Sequence, residues 1–184
     1  MVSDQPRRLG SAPLSDPTDE TLTAAMVAEL PRLRRHALYL CYNHADADDL
    51  VQDCLEAALS KKGSLQDPAK LRSWLFSILN NLFLMGLRSN ARRGQMLQIE
   101  DFADSLAASA SPEDRQTARD LARAMAKLSA EHRQILLLLN VEGYGYQQVA
   151  DTLGIPIGTV MSRLARARRR LRALLEGHEL QVVD

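Results

Sequence analysis

Between Thr159 and Arg172 the chain carries arginines at 163, 166, 168, 169, 170 and 172 and no acidic residue. Guanidinium groups packed this densely repel one another unless a polyanion neutralises them, and phosphate neutralisation supplies much of the affinity of proteins for DNA. The plain alternative is a solvated helix whose cationic end suits its own dipole. The residues just before the run favour the first reading. Tyr146 to Leu153 has the pattern of a short amphipathic helix, Gly154 can take the positive φ of a tight turn, and a longer helix runs from about Gly158. Small Ala150 lets the second helix approach, and Val160 packs it back with Val149, Leu153, Ile155 and Leu164 completing the seam. This is helix-turn-helix spacing, in which the second helix enters the DNA major groove.

The rest of the chain must carry that element and explain its own charge. Its 184 residues suit one ordinary domain or two small ones, and 23 basic against 23 acidic groups leave no net charge. The balance hides a segregation. Residues 31–94 hold 10 basic and 6 acidic groups, 95–130 hold 4 and 6, and 131–184 hold 7 and 6. Two mildly basic blocks thus flank an acidic spacer, and a local field is what a nucleic acid meets. Cys41 and Cys54 do not make a secreted disulfide framework. No apolar run approaches bilayer length and no signal peptide is apparent, so a cytoplasmic protein without membrane insertion is expected.

Residues 1–19, with Pro6, Pro13 and Pro17, read as a disordered leader. A helix is predicted from about Glu20 to Tyr42, with Pro31 marking a kink or a break. Asp46 is the expected N-cap of a helix from Ala47 to about Leu59. Lys61 to Gln66 reads as a loop, and Asp67-Pro68 starts a helix with a stripe of Leu71, Trp74, Leu75, Ile78, Leu82 and Met85, ending near Arg92, Arg93 and Gly94. Residues 95–112 lose the pattern and read as a linker. Pro112 starts a helix to about Lys127, Ser129 caps the next, and the helix-turn-helix follows, with 178–184 as a tail. No strand-like alternation occurs. The expected fold is all-α: two small helical bundles, 20–94 and 113–177, joined by a flexible linker.

Three stretches in order, Asp46-Ala-Asp-Asp-Leu-Val-Gln-Asp53, Leu71-Arg-Ser-Trp-Leu-Phe-Ser-Ile78 and Gly158-Thr-Val-Met-Ser-Arg-Leu164, resemble the bacterial sigma factors of the sigma-70 family. More narrowly they resemble the extracytoplasmic-function (ECF) group, which keeps the second and fourth sigma domains. The resemblance covers most of Leu30 to Leu175. It implies a non-enzymatic transcription initiation factor that binds core RNA polymerase, through the β′ clamp helices and the β flap, and directs it to promoter DNA. Asp46, Asp49, Leu50, Gln52 and Asp53 match the polymerase-docking helix. The loop Gly63 to Pro68 and the helix after it match the reader of the minus-ten element, where Arg72, Asn80, Asn81 and Arg88 can donate to bases and Lys61, Lys62 and Lys70 can meet phosphates. Trp74 lies on the apolar stripe, which favours a core place over base stacking. For the minus-thirty-five element, Thr159, Ser162, Arg163 and Arg166 stand near the start of the recognition helix, where side chains reach base edges. Arg168, Arg169 and Arg170 lie later and suit phosphates, which position without specifying.

Two departures stand out. Met85-Gly86 replaces an aspartate common late in the third helix, which resembles the general-stress-response subgroup of α-proteobacteria. Met161 stands where relatives often place a lysine, so one phosphate contact is expected to be missing. Members of the family are held by an anti-sigma factor, and two bundles on a tether offer apolar faces for one to clamp. Rival readings are a sigma mimic that titrates an anti-sigma factor, a helix-turn-helix repressor built on 113–175, and a metal site from His36, Cys41, His44 and Cys54. The last lacks paired-ligand spacing, and no phosphate loop or nucleophile motif supports catalysis, so neither metal nor cofactor is expected.

Overall fold

The computed structural model describes residues 17–90 and 111–177, and every regular element within them is helical. The leader up to residue 16, most of the linker and the tail expected from the sequence lie outside the described residues. The first bundle comprises α1 (Pro17–Cys41), α2 (His44–Ser60) and α3 (Leu71–Asn90); the second comprises α4 (Pro112–Ala126), α5 (Ala130–Asn140), α6 (Tyr146–Leu153) and α7 (Ile157–Leu175).

α1 stays one helix through Pro31, so the alternative of a break into two helices does not occur. Pro31 is solvent-exposed, so the missing amide bond falls on the wet face, while Met26, Leu33, Ala37 and Leu40 bury the other face on both sides of it. The helix stops where Tyr42 turns left-handed at φ 56°, its amide donating to the Leu38 carbonyl at 2.9 Å. Asn43 then caps α2 by accepting from the Asp46 amide at 3.1 Å. Asp46 is therefore not the cap expected of it. The earlier asparagine, already extended at φ −147°, starts the helix at His44 and leaves Asp46 in the first turn.

Asp67 caps the approach to α3 as expected, accepting from the Ala69 amide at 2.9 Å with Pro68 following, although the first turn is 3₁₀ before the α-helix begins at Leu71. The apolar stripe of α3 is rotated from the expected one. Leu71, Leu75, Phe76, Leu79 and Phe83 are buried; Trp74, Ile78 and Leu82 pack partly buried against the core; Met85 is 63% exposed. The cause is a second contact: α3 packs on α1 and α2 and also on α6 of the other bundle.

In the second bundle Ser111 caps α4 and Ser129 caps α5, each accepting from the amide three residues on. The helix-turn-helix forms as the spacing requires. Gly154 sits at φ 64° between α6 and α7, and Val149, Ala150, Val160, Leu164 and Ala167 close the seam. α5 is buried from Arg133 through Leu138 without interruption, polar residues included. A helix hidden on every side needs packing on every side. α6 and α7 cover part of it, and α1 of the first bundle covers more, so the two expected bundles share one apolar core rather than standing apart.

No atom lies within 4 Å of a methyl group placed on Gly154, so only backbone strain opposes a side chain there. Gly154→Ala should lower stability by about 1–2 kcal/mol, read as a fall in the urea midpoint with the slope unchanged.

Candidate nucleic-acid interface

On α7, burial of Val160, Leu164 and Ala167 fixes which residues face outward. Thr159 is half-buried, whereas Ser162, Arg166, Arg168 and Arg169 are exposed and Arg170 is half-buried with a partner of its own. The sequence positions 159, 162, 163, 166 and 170 recur at three- and four-residue steps and so form one stripe. Ser162 donates its hydroxyl to the Thr159 carbonyl at 3.1 Å, and Arg166 Nη2 reaches Ser162 Oγ at 3.4 Å.

Arg163 meets a carboxylate of its own chain: Nη2 lies 3.3 Å from Glu131 Oε2, the side chains being 27% and 50% exposed. Ion pairs this open to solvent contribute roughly 0–1 kcal/mol and weaken with salt. A phosphate can displace Glu131, so the pair trims the field of α7 without locking the arginine. The arginine stripe also runs beside His132, whose pKa is lowered first by burial and then by Arg166.

The candidates in the first bundle divide. Lys61, Lys62, Lys70 and Asn81 are exposed. Arg72 is exposed but engaged, its guanidinium gripping Glu29 with two bonds of 2.9 Å that keep it firmly protonated. It borders a cleft of about 550 Å³ whose far wall is Glu142, Tyr144 and Gln148 of the second bundle. Asn80 is a correction. It is 1% exposed, its amide donates to the Phe76 carbonyl at 2.8 Å, and its oxygen faces His36 Nε2 at 3.5 Å, so in this arrangement it reaches no base. The Arg88 side chain lies outside the described residues.

On α2, Asp46, Asp49, Gln52 and Asp53 are exposed and form the expected acidic edge, with Gln52 donating to Glu56 at 3.0 Å. Leu50 is the other correction: it is buried in the core, where α2 meets its neighbours, and is no surface ridge. Sequence reasoning missed a set that lies between the bundles: Arg133, Gln134, Glu142 and Tyr144 against His36, Leu40 and Asn80. The one available signal was Arg133-Gln134 heading an otherwise apolar run from Ile135 to Leu139.

Two family models match this chain, the "Sigma2 domain of PhyR" over residues 26–80 and "Sigma-70, region 4" over residues 118–171. Over 163 residues it is 36% identical to the ECF RNA polymerase sigma factor EcfG of Rhodopseudomonas palustris, covering 86% of this chain and 87% of that protein. This chain belongs to the ECF RNA polymerase sigma factors. A second relative, the ECF RNA polymerase sigma factor SigL of Mycobacterium tuberculosis, is 36% identical over 148 residues, with 78% and 82% of the two chains covered. Among solved structures the sigma factor is similar to RpoE of Bartonella quintana, crystallised with the anti-sigma factor NepR, at 30% identity and a TM-score of 0.67 over 85% of this chain and 98% of that one. CnrH, solved with the cytosolic domain of CnrY, shares the fold at 24% identity and a TM-score of 0.59, with 87% and 90% covered.

The sigma factor's two matched regions thus fall on the two bundles, α1 to α3 and α4 to α7, and a sigma factor is not an enzyme. With both regions matched, a repressor built on the second bundle alone no longer accounts for the chain. Of the residues weighed as a metal site, His36 and Cys54 are buried, Cys41 is half-buried and His44 is exposed; among the described residues no three such groups converge. Burial pushes both thiols up to about 12, Cys41 with a further push from Asp46. A thiol reagent at pH 8 should therefore react with Cys41 and Cys54 of the folded protein at least about a hundredfold more slowly than with the denatured chain, because only thiolate is nucleophilic.

Proposed function

We propose that this sigma factor docks on core RNA polymerase through the acidic edge of α2 on the β′ clamp helices, with its second bundle on the β flap. In this reading the α7 stripe of Thr159, Ser162, Arg163 and Arg166 reads the minus-thirty-five element, and Arg168, Arg169 and Arg170 hold phosphates. Lys70, Arg72, Asn81 and Arg88 serve the minus-ten element, Arg72 after it leaves Glu29. The observation that carries the reading is the pair of sigma regions matched in order on one chain, with an outward arginine stripe on the recognition helix. Similarity to EcfG, and to RpoE held by NepR, supports general-stress promoters and control by an anti-sigma factor. Work with core polymerase supports a cytoplasmic location; separately, no described helix is long and apolar enough to cross a membrane.

One observation favours the mimic as a second reading: the family model for the first bundle is that of PhyR, and an anti-anti-sigma factor PhyR shares the fold at 18% identity. This chain covers only 49% of that one, against 87% of EcfG. Run-off transcription with purified core on a promoter library separates the two. Transcripts are expected; a chain that starts none from any promoter supports the mimic. Arg166→Ala should cost about 1–3 kcal/mol on promoters with an intact minus-thirty-five element and relax its sequence preference. Arg169→Ala should weaken binding to all promoters alike and reduce the salt slope by about 1.

A further inference from the structure

We propose that Glu131 sets specificity at the recognition helix: it withholds Arg163 from phosphates yet leaves it able to bind a base edge, so it weakens binding to DNA at large more than binding to a promoter. The inference rests on the reading that α7 meets the minus-thirty-five element.

Arg163 and Arg166 share one stripe of α7 but stand in different settings. Arg166 is exposed and reaches the Ser162 hydroxyl at 3.4 Å. Arg163 is 27% exposed, and its Nη2 lies 3.3 Å from Glu131 Oε2. Glu131 belongs to another helix. Ser129 caps α5 by accepting from the His132 amide, which puts Glu131 in the first turn, and α5 packs along α7. His132 marks the same corner: burial lowers its pKa first, then Arg166, with Arg163 acting in the same direction and Glu131 against it. One carboxylate thus stands beside the stripe that DNA must approach. The plain alternative is a first-turn acid placed to suit the dipole of α5. That role involves no arginine and would not distinguish one DNA sequence from another.

The two kinds of DNA partner differ in chemistry. Binding without sequence preference is carried by phosphates. To reach one, Arg163 must leave Glu131, and the phosphate then lies near a carboxylate that has lost its cation. A guanine edge takes two N–H groups of an arginine. A guanidinium has five, so three remain and Glu131 can keep its bond while the base is read. The base edge also carries no full charge for the carboxylate to repel. Glu131 therefore opposes the first kind of contact and tolerates the second. An ion pair this open to solvent is weak, so it tunes selectivity a few-fold and does not block binding.

The test measures the full chain bound to core polymerase on two DNA fragments across a range of salt. One is the strongest promoter found by run-off transcription; the other is the same fragment with its minus-thirty-five element scrambled. Glu131→Gln keeps the shape of the side chain and removes its charge. It should tighten binding to the scrambled fragment about fivefold and steepen its salt slope by about 0.9, the value of one added phosphate contact. Binding to the promoter should change by about twofold at most. In an Arg163→Ala background the same substitution should leave the ratio of the two affinities unchanged. Glu113→Gln, which removes a first-turn acid from α4 of the same bundle, should leave both fragments bound as by the wild type.

Equal tightening on both fragments, tightening on neither, or an effect on the ratio that persists without Arg163 overturns the proposal, as does an equal effect of Glu113→Gln. If Glu131→Gln loses its helical circular dichroism, Glu131→Ala decides by the same criteria, and loss in both overturns the proposal because Glu131 is then needed for the fold. If Arg163→Ala alone binds both fragments as the wild type does, Arg163 does not meet DNA, and the reading beneath the proposal falls with it. If Arg163→Ala loses promoter affinity while Glu131→Gln changes nothing, the proposal alone falls.

Discussion

A buried guanidinium bonded to carbonyls rather than to a carboxylate is the constraint around which the two halves of this molecule are arranged. Desolvating a full positive charge is expensive, and a surface lysine in place of Arg133 would simply stay wet. The helix ends of α1 and α4 carry about half a negative charge each, yet burial outweighs what surrounds the guanidinium and lowers the Arg133 pKa. This setting exists only while Leu40 of the first bundle lies against α5 of the second. The same interface holds the left-handed Tyr42 and the unbroken burial of α5 from Arg133 to Leu138.

This arrangement separates the functional surfaces by their dependence on the interface. The α7 arginine stripe and the acidic edge of α2 face solvent in this arrangement, one trimmed by Glu131 at Arg163, the other by Arg34, which lies 2.7 Å from Asp48. The α3 surface does not share that independence. Asn80 is spent on His36, on Phe76 and, through its carbonyl, on Gln134, while Arg72 is held by Glu29 at the cleft. In this arrangement Gln134 and Asn80 serve as contacts between the bundles.

Much of the architecture was legible in the chain because it is local. The helix-turn-helix depends on Ala150, Gly154 and Val160, residues within one short stretch whose steric demands do not wait on distant partners, and it formed as its spacing required. The caps at Asp67, Ser111 and Ser129 are equally local; Asn43 displaced Asp46 only because two good caps stood three residues apart. The three sigma-like stretches, read in order, likewise pointed to the family that the comparisons show.

Tertiary structure alone decided the roles of Leu50, Asn80, Arg133 and Glu142. Helical periodicity says which residues share a face but not how many neighbours that helix will have, so α3 and α5, each covered from two sides, defeated a reading based on a single apolar stripe. A charged residue in a sequence reads as solvated by default, since its burial needs partners contributed by residues far away along the chain. Leu40 lies 93 residues from Arg133, and no pattern in either stretch announces the bond between them.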